Sequence, residues 1–146
     1  MSWPPEVIVV AVDGSDQSQR AADLAATLAS IHQSRLVLLT VVRPPEGWWG
    51  VTGQPPSPEA LSEALVEGQQ EILRQTESRT DLTKVDHSTV EELGDPTSVI
   101  LAACERESAD LLVVGRRGAG LVERMVMGSV ADRLAHHSPV PILIVP

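Results

Sequence analysis

The stretch from Gly115 to Ser129 combines glycines, arginines and a serine where a predicted strand ends and a predicted helix begins. Glycine lets a backbone approach a ligand closely, and the free N–H groups at a helix N-terminus favour an anion such as phosphate. Ser129 adds a hydroxyl donor, and positive charge comes from Arg116, Arg117 and Arg124. These residue types in this order predict a loop that binds phosphate.

Two familiar glycine signatures do not fit this stretch. A Walker loop has the pattern GxxxxGK[ST], whereas here Gly128 and Ser129 follow Met127 and the stretch has no lysine. The Rossmann pattern GxGxxG needs a glycine three residues after Gly120, where Glu123 stands. A P-loop is therefore rejected, and a dinucleotide site is disfavoured.

The strands that must position this loop are visible as apolar runs. Runs without charged residues are typical of parallel strands covered by helices on both faces, and four occur here: Val7 to Val12, Leu36 to Val42, Leu111 to Val114 and Val140 to Val145. A fifth segment, Val85 to Val90, alternates in polarity and suits an edge strand.

Helices are predicted between these strands: Ser15 to Ile31, Pro58 to Arg79, a third that starts at Pro96 with Asp95 as its cap, and Ser129 to His137. Two apolar stripes are expected to face the sheet. The first comprises Ala21, Leu24, Ala25, Leu28 and Ile31, and the second comprises Leu61, Ala64, Leu65, Gly68 and Ile72. The alternation predicts a doubly wound α/β fold with a five-stranded parallel sheet.

A long loop, Arg43 to Ser57, is predicted between the second strand and the second helix. It contains Trp48 and Trp49 and leaves the carboxyl edge of the sheet, where open α/β folds bind ligands. The tryptophan pair is either an anchor for the loop or a surface for a partner.

Length and composition exclude several further classes of function. A length of 146 residues is typical of one domain, and we expect residues 1–146 to form a single unit. The formal net charge of −9 and the 2% aromatic content oppose binding to nucleic acids or anionic membranes. The lone Cys104, expected to be buried and inert, and the lack of a membrane-length apolar run favour the cytoplasm.

The glycine spacing G-x2-G-x9-G-[ST] puts Gly115, Gly118, Gly128 and Ser129 in register, and here the chain resembles the universal stress protein family. The resemblance covers nearly the whole chain. It includes four further segments in order: Val9 to Ser15, Gly94 to Pro96, Asp110 to Gly115, and Ser138 to Val145.

The resemblance implies strand order 3-2-1-4-5 and, in members that keep the glycine motif, a site for ATP, expected with Mg²⁺. Asp13 would contact the ribose and adenine side, and the backbone near Val41 would meet the adenine. The phosphates would be held by Gly115, Gly118, Gly128 and Ser129, and the expected site also includes Arg117 and Val130.

Local sequence leaves a second interpretation of Asp13 open. A carboxylate at the end of a strand can accept hydrogen bonds from ribose hydroxyls, but Asp13-Gly14-Ser15 also suits a plain turn with a helix cap.

The function favoured by the resemblance is a nucleotide-dependent regulator of stress response that acts through a homodimer and a protein partner of unknown identity. Two alternatives stay open: a weak ATPase or autophosphorylating protein, and a ligand-free dimerisation scaffold. No catalytic constellation is evident, so no catalytic residue is expected. The dimer is predicted to form through Val140 to Val145, an apolar run at a sheet edge.

Overall fold

The computed structural model describes residues 1–44, 57–117 and 127–146, within which five strands alternate with four helices. The strands are β1 (Val7–Ala11), β2 (Arg35–Val42), β3 (His87–Leu93), β4 (Leu111–Gly115) and β5 (Ile142–Val145). The helices are α1 (Asp16–His32), α2 (Pro58–Arg79), α3 (Pro96–Arg106) and α4 (Ser129–His137). None of the helices in these ranges combines the length and apolar character that a membrane span requires.

The strands form one parallel sheet in the order β3-β2-β1-β4-β5. This confirms the predicted doubly wound α/β fold and the position of β3 at an edge. The centre of the sheet is β1, where Ile8, Val9 and Val10 are all 0% exposed. The register aligns Val9 with Val37 of β2 and with Leu112 of β4.

Two core layers lie on the two faces of the sheet. Side chains alternate along a strand, so Val10 packs toward α1 and α2, whereas Val9 packs toward α3 and α4. Cys104 of α3 lies in the second layer, where burial, together with the charge of Glu105, raises the pKa of its thiol to about 11. The expectation that Cys104 is buried is confirmed.

The face that α1 turns to the sheet agrees with the prediction only in part: Ala21 and Ala25 are buried, and Leu28 packs against the core. Leu24 is 38% exposed and Ile31 is 67% exposed, although both were expected in the core. Small residues line the buried face instead, namely Ser18, Ala21, Ala22, Ala25, Ala26 and Ala29. Because these side chains are short, the helix can lie close to the strands, whereas Leu24 and Ile31 turn outward.

The predicted face of α2 is correct only in part. Three of its members are half-buried, namely Leu61, Leu65 and Ile72, and Ile72 packs against the first core layer. Ala64 and Gly68 are exposed, and the buried positions are Gln69, Leu73 and Thr76. Leu73 packs into the first core layer, and Gln69 hydrogen-bonds to two strand carbonyls. A polar residue therefore contributes to the orientation of this helix together with the apolar contacts, and an apolar pattern cannot show that contribution.

Two strands begin two residues later than predicted, and the bounds of the other three differ from the prediction by one residue. β3 starts at His87 because Val85 lies in a turn, where its N–H donates to the Leu82 carbonyl at 3.1 Å. β5 starts at Ile142 instead of Val140. The preceding Pro141 has no N–H to donate, although its carbonyl accepts from Leu112 at 3.0 Å.

Asp110, just before β4, fastens the start of the chain to the sheet. One carboxylate oxygen accepts from the N–H of Ser2 at 2.6 Å, and the other accepts from Glu6 at 3.0 Å and Val7 at 3.1 Å. Burial alone would raise the pKa of Asp110, but the three backbone donors and the charge of the chain's N-terminus lower it overall. The ionised form is therefore the one that holds residues 2–7.

Replacing Asp110 with Asn should lower the free energy of unfolding at pH 7 by about 1–3 kcal/mol, because an amide cannot accept hydrogen bonds at both of its polar atoms. The folded-state pKa lies below the ordinary value of 3.8. The stabilisation is thus complete above that value and is lost as the pH falls through the folded-state pKa. Urea denaturation across this pH range should show the two proteins converging in acid.

The control for this experiment is Asp86→Asn, which changes an exposed carboxylate and should leave stability nearly unaltered. A difference between Asp110→Asn and the parent that stays the same size at all pH values would contradict the role of the charge.

Candidate functional site

A cavity of about 380 Å³ lies at the carboxyl ends of β1, β2 and β4. After β1 the chain crosses one face of the sheet, and after β4 it crosses the other face. The cavity lies between these two strand ends, and open α/β sheets bind ligands at such points. The lining includes every predicted site residue that the structure describes: Asp13, Val41, Gly115, Arg117, Gly128, Ser129 and Val130. Gly118 lies outside the described residues, as do Arg124, Trp48 and Trp49.

The turn from β1 into α1 is held by its own polar groups. The Asp13 carboxylate accepts from the N–H of Ser15 at 2.9 Å, and Ser15 caps α1 by accepting from the N–H of Ser18. The Ser18 hydroxyl accepts from the N–H of Asp13 at 3.2 Å and donates to the Ser15 carbonyl at 3.0 Å. This segment is thus a turn with a helix cap, and it also places Asp13 in the lining of the cavity.

Gly115 allows β4 and α1 to meet closely. A Cβ atom at this position would lie 3.0 Å from the Cβ of Gln17, 3.1 Å from its carbonyl carbon and 3.2 Å from the Ser18 nitrogen. Two of these three atoms belong to the helix backbone, which cannot rotate away as a side chain can. The glycine therefore brings the first turn of α1 against the floor of the cavity.

The N-terminus of α4 differs from those of the other helices in the described ranges. Ser15, Ser57 and Asp95 cap α1, α2 and α3 through their side chains. The cap of α4 is Gly128, which has no side chain to accept from the first turn. The N–H of Gly128 itself donates to the Arg116 carbonyl at 2.8 Å. The first turn of α4 lines the cavity, so its N–H groups and the positive end of its dipole face a space that an anion could enter.

Arg117 brings a buried positive charge to the same cavity. Its side chain lines the cavity although the residue is only 9% exposed. A buried guanidinium is energetically costly unless it faces polar or anionic groups. Arg117 and the N-terminus of α4 thus both lie beside this cavity, in a chain whose net charge is −9.

The opposite part of the lining is apolar. Val41 and Val114 come from strand ends, and Pro96 and Ile100 come from α3. Beyond Leu39, β2 extends past the paired region of β1 and is paired only with β3. The backbone of β2 is therefore accessible from the cavity side near Val41.

Asp95 joins three elements at the rim. Its carboxylate accepts from the N–H and hydroxyl of Ser98, pairs with Arg43 after β2, and lies 3.8 Å from the guanidinium of Arg133 on α4. The two hydrogen bonds from Ser98, followed by the two arginines, lower the pKa of Asp95. The carboxylate therefore stays ionised and links the exit of β2 to both helices that border the cavity.

Sequence reasoning missed several of these residues. Ser18 lies one turn after the Ser15 cap, and this spacing could have indicated that its hydroxyl returns to the turn. Arg133 and Gln69 carry no local signal, because their partners are distant along the chain. In the described ranges, no group of three or more His, Cys, Asp or Glu side chains could hold a metal ion.

The chain is similar to known proteins along nearly its full length. Residues 5–146 match the model of the universal stress protein family. A universal stress protein of Synechocystis is 35% identical over 142 residues, which are 97% of this chain and 85% of that protein. A solved universal stress protein in complex with cAMP is 27% identical, with a TM-score of 0.68 and 97% of each chain covered. UspA from Lactobacillus plantarum shares the fold at 24% identity, with a TM-score of 0.78 and coverage of 96% of this chain and 97% of that one.

Replacing Gly115 with Ala should destabilise the protein by about 1–3 kcal/mol, because the added methyl group presses on the backbone of α1. The matched control is Gly68→Ala. A Cβ at Gly68 has nothing within 4 Å, so this variant should be more stable than the parent by about 0.5–1 kcal/mol, through helix propensity alone. Urea denaturation of the three proteins tests the contrast. Equal stability of Gly115→Ala and the parent would show that the contact with α1 is not tight.

Proposed function

Because this chain belongs to the universal stress protein family, we propose that it is a nucleotide-binding regulator whose ligand is ATP. The proposal rests on the lining of one cavity. The buried Arg117 and the N-terminus of α4 lie there beside an apolar wall and the carboxylate of Asp13. A nucleotide has an anionic, an aromatic and a hydroxylated part, and the cavity offers a matching group for each.

The phosphates are assigned to the side of the cavity near α4. Arg117 supplies a charge that can donate two parallel hydrogen bonds to phosphate oxygens, and the first-turn N–H groups of Ser129 and Val130 supply neutral donors. Gly115, Gly118 and Gly128 are assigned to the same phosphates by the glycine spacing. Mg²⁺ would be held chiefly by the phosphates and water, as is usual for this ion.

The base and sugar are assigned to the side formed by β1, β2 and α3. Val41 and Ile100 offer apolar contact to an aromatic base, and the exposed backbone of β2 offers polar contact to its edge. Asp13 would accept hydrogen bonds from ribose hydroxyls. Support for an adenine nucleotide comes from the solved universal stress protein in complex with cAMP, which is 27% identical to this chain.

Regulation by binding is the role that we propose for this site. Nucleotide binding would favour one arrangement of a dimer and so change its contacts with a protein partner in the stress response. We place this activity in the cytoplasm, where a reducing environment suits a chain whose one cysteine is buried and free. A second candidate function, slow ATP hydrolysis or autophosphorylation, is favoured by the Ser129 hydroxyl, which is exposed and lines the cavity.

The first test of the proposal is Arg117→Met, which keeps the length of the side chain and removes its charge. ATP affinity measured by calorimetry should fall about ten- to a hundredfold, the usual effect of losing hydrogen bonds to a charged group. Adenosine lacks phosphates, so its affinity should not change. The same titrations with Arg74→Met, which alters an exposed arginine on α2, serve as the control.

Two results would count against the proposal. A folded parent that binds no adenine nucleotide would refute the function as a whole. Equal ATP affinity in the parent and Arg117→Met would remove Arg117 from the phosphate site.

The dimer is proposed to form through β5, which is one of the two edges of the sheet. The other edge, β3, carries Glu91 and Glu92, and charges of this kind protect an edge from pairing. β5 has no charged residue, and its Ile142, Leu143 and Ile144 are only half-buried. Pairing with a second copy would cover these side chains and satisfy the backbone groups of the edge.

Replacing Ile144 with Lys should shift the protein from dimer toward monomer, because the new charge would be buried at the twofold contact. Sedimentation velocity measures the shift, and Glu91→Lys at the opposite edge is the control that should leave the dimer intact. Circular dichroism of both variants confirms that they fold. A parent protein that sediments as a monomer at micromolar concentration would contradict the proposed interface.

A further inference from the structure

Gln69 is a buried polar residue in the middle of α2. It is 1% exposed, and its side-chain nitrogen Nε2 donates to the carbonyl of Thr40 at 3.2 Å and to the carbonyl of Glu92 at 2.6 Å. Both partners are acceptors, so only the NH₂ end of the amide fits there. Burying a glutamine is costly unless its polar atoms are paired. Here that cost is offset by two bonds that join α2 to two neighbouring strands.

The Thr40 carbonyl belongs to the part of β2 that overhangs β1. The register of β1 with β2 ends at the pair Ala11 and Leu39, whereas β2 and β3 stay paired as far as Val42 and Leu93. Over its last three residues β2 therefore has a neighbouring strand on one side only. The hydrogen bond from Gln69 is a second constraint on this end of β2, and it limits how far the end can move.

The bond from Gln69 acts directly on the peptide group that faces the cavity. The carbonyl of Thr40 and the N–H of Val41 belong to the same planar peptide unit, and Val41 lines the cavity. Fixing the carbonyl oxygen therefore fixes the direction of the Val41 N–H. A donor on the carbonyl also strengthens the N–H as a hydrogen-bond donor, since hydrogen bonds in a chain polarise one another.

We propose that Gln69 is a positioning residue of the nucleotide site, which sets the orientation of the Thr40–Val41 peptide for contact with the base. The inference rests on the proposed function, because it assigns Gln69 to the base side of that site. Gln69 does not line the cavity itself. Its effect is therefore expected on ligands that carry a base and not on ligands that consist of phosphate alone.

The test variant is Gln69→Met, which preserves the size of the side chain and removes its donor. Affinities for ATP and adenosine, measured by calorimetry, should each fall about three- to tenfold, the range expected for the loss of one well-placed hydrogen bond. Affinity for inorganic tripolyphosphate should stay within error of the parent value. Thr76→Val is the matched control, because Thr76 is buried on the same face of α2 but bonds only to Ile72 of its own helix.

A second readout needs no ligand. Amide hydrogen exchange of Val41 in the free protein should become about tenfold faster in Gln69→Met relative to Val10 in central β1, because only the overhanging end of β2 is loosened. Thr76→Val should leave this ratio unchanged. Rotation of the peptide should also move the ¹⁵N chemical shift of Val41 in Gln69→Met alone.

The possible failures can be told apart. If the parent binds neither ATP nor adenosine, the proposed function is wrong, whatever Gln69 does. If the exchange and chemical shift of Val41 match those of the parent, Gln69 does not position this peptide. If affinities for ATP and tripolyphosphate fall by the same factor, Gln69 supports the fold in general, and its assignment to the base side is overturned.

Discussion

Parallel pairing of β1 with β2 on one side and β4 on the other is the constraint from which the site follows. Because all five strands run in the same direction, their carboxyl ends lie at one edge of the sheet, and each connection must return across a face as a helix. The helices that follow β1 and β4 lie on opposite faces, so neither α1 nor α4 covers the space between these two strand ends. The cavity occupies that space.

The polar groups around this edge fall into two sets, those that bond to one another and those at the start of α4. Asp13, Ser15 and Ser18 satisfy one another within a single turn, and Asp95 satisfies the start of α3. These residues make the rim rigid before any ligand arrives. By contrast, Gly128 brings no side chain to the start of α4, and Arg117 is buried beside it. The start of α4 and Arg117 thus both lie beside the cavity, and neither takes part in the capping turns of α1 and α3.

Much of this arrangement could be predicted from the sequence because it depends on local patterns. The apolar runs located the strands, and Ser15, Ser57 and Asp95 marked three helix starts, all of which the structure contains. The orientation of the helices could not be predicted in the same way. Leu24 and Ile31 fit an apolar stripe, but the buried face of α1 consists mainly of alanines, and these two larger side chains are exposed. Gln69 is buried because of two carbonyls that are distant in sequence, so helical periodicity alone could not find it.

The burial of Cys104 also determines how readily its thiol can be oxidised in the cell. Burial raises the pKa of this thiol to about 11, so little thiolate forms at pH 7, and the thiolate is the form that oxidants and electrophiles attack. Cys104 lies on the face of α3 that packs against the sheet, away from solvent. Peroxide would therefore convert it to sulfenic acid only during moments when α3 lifts from the sheet.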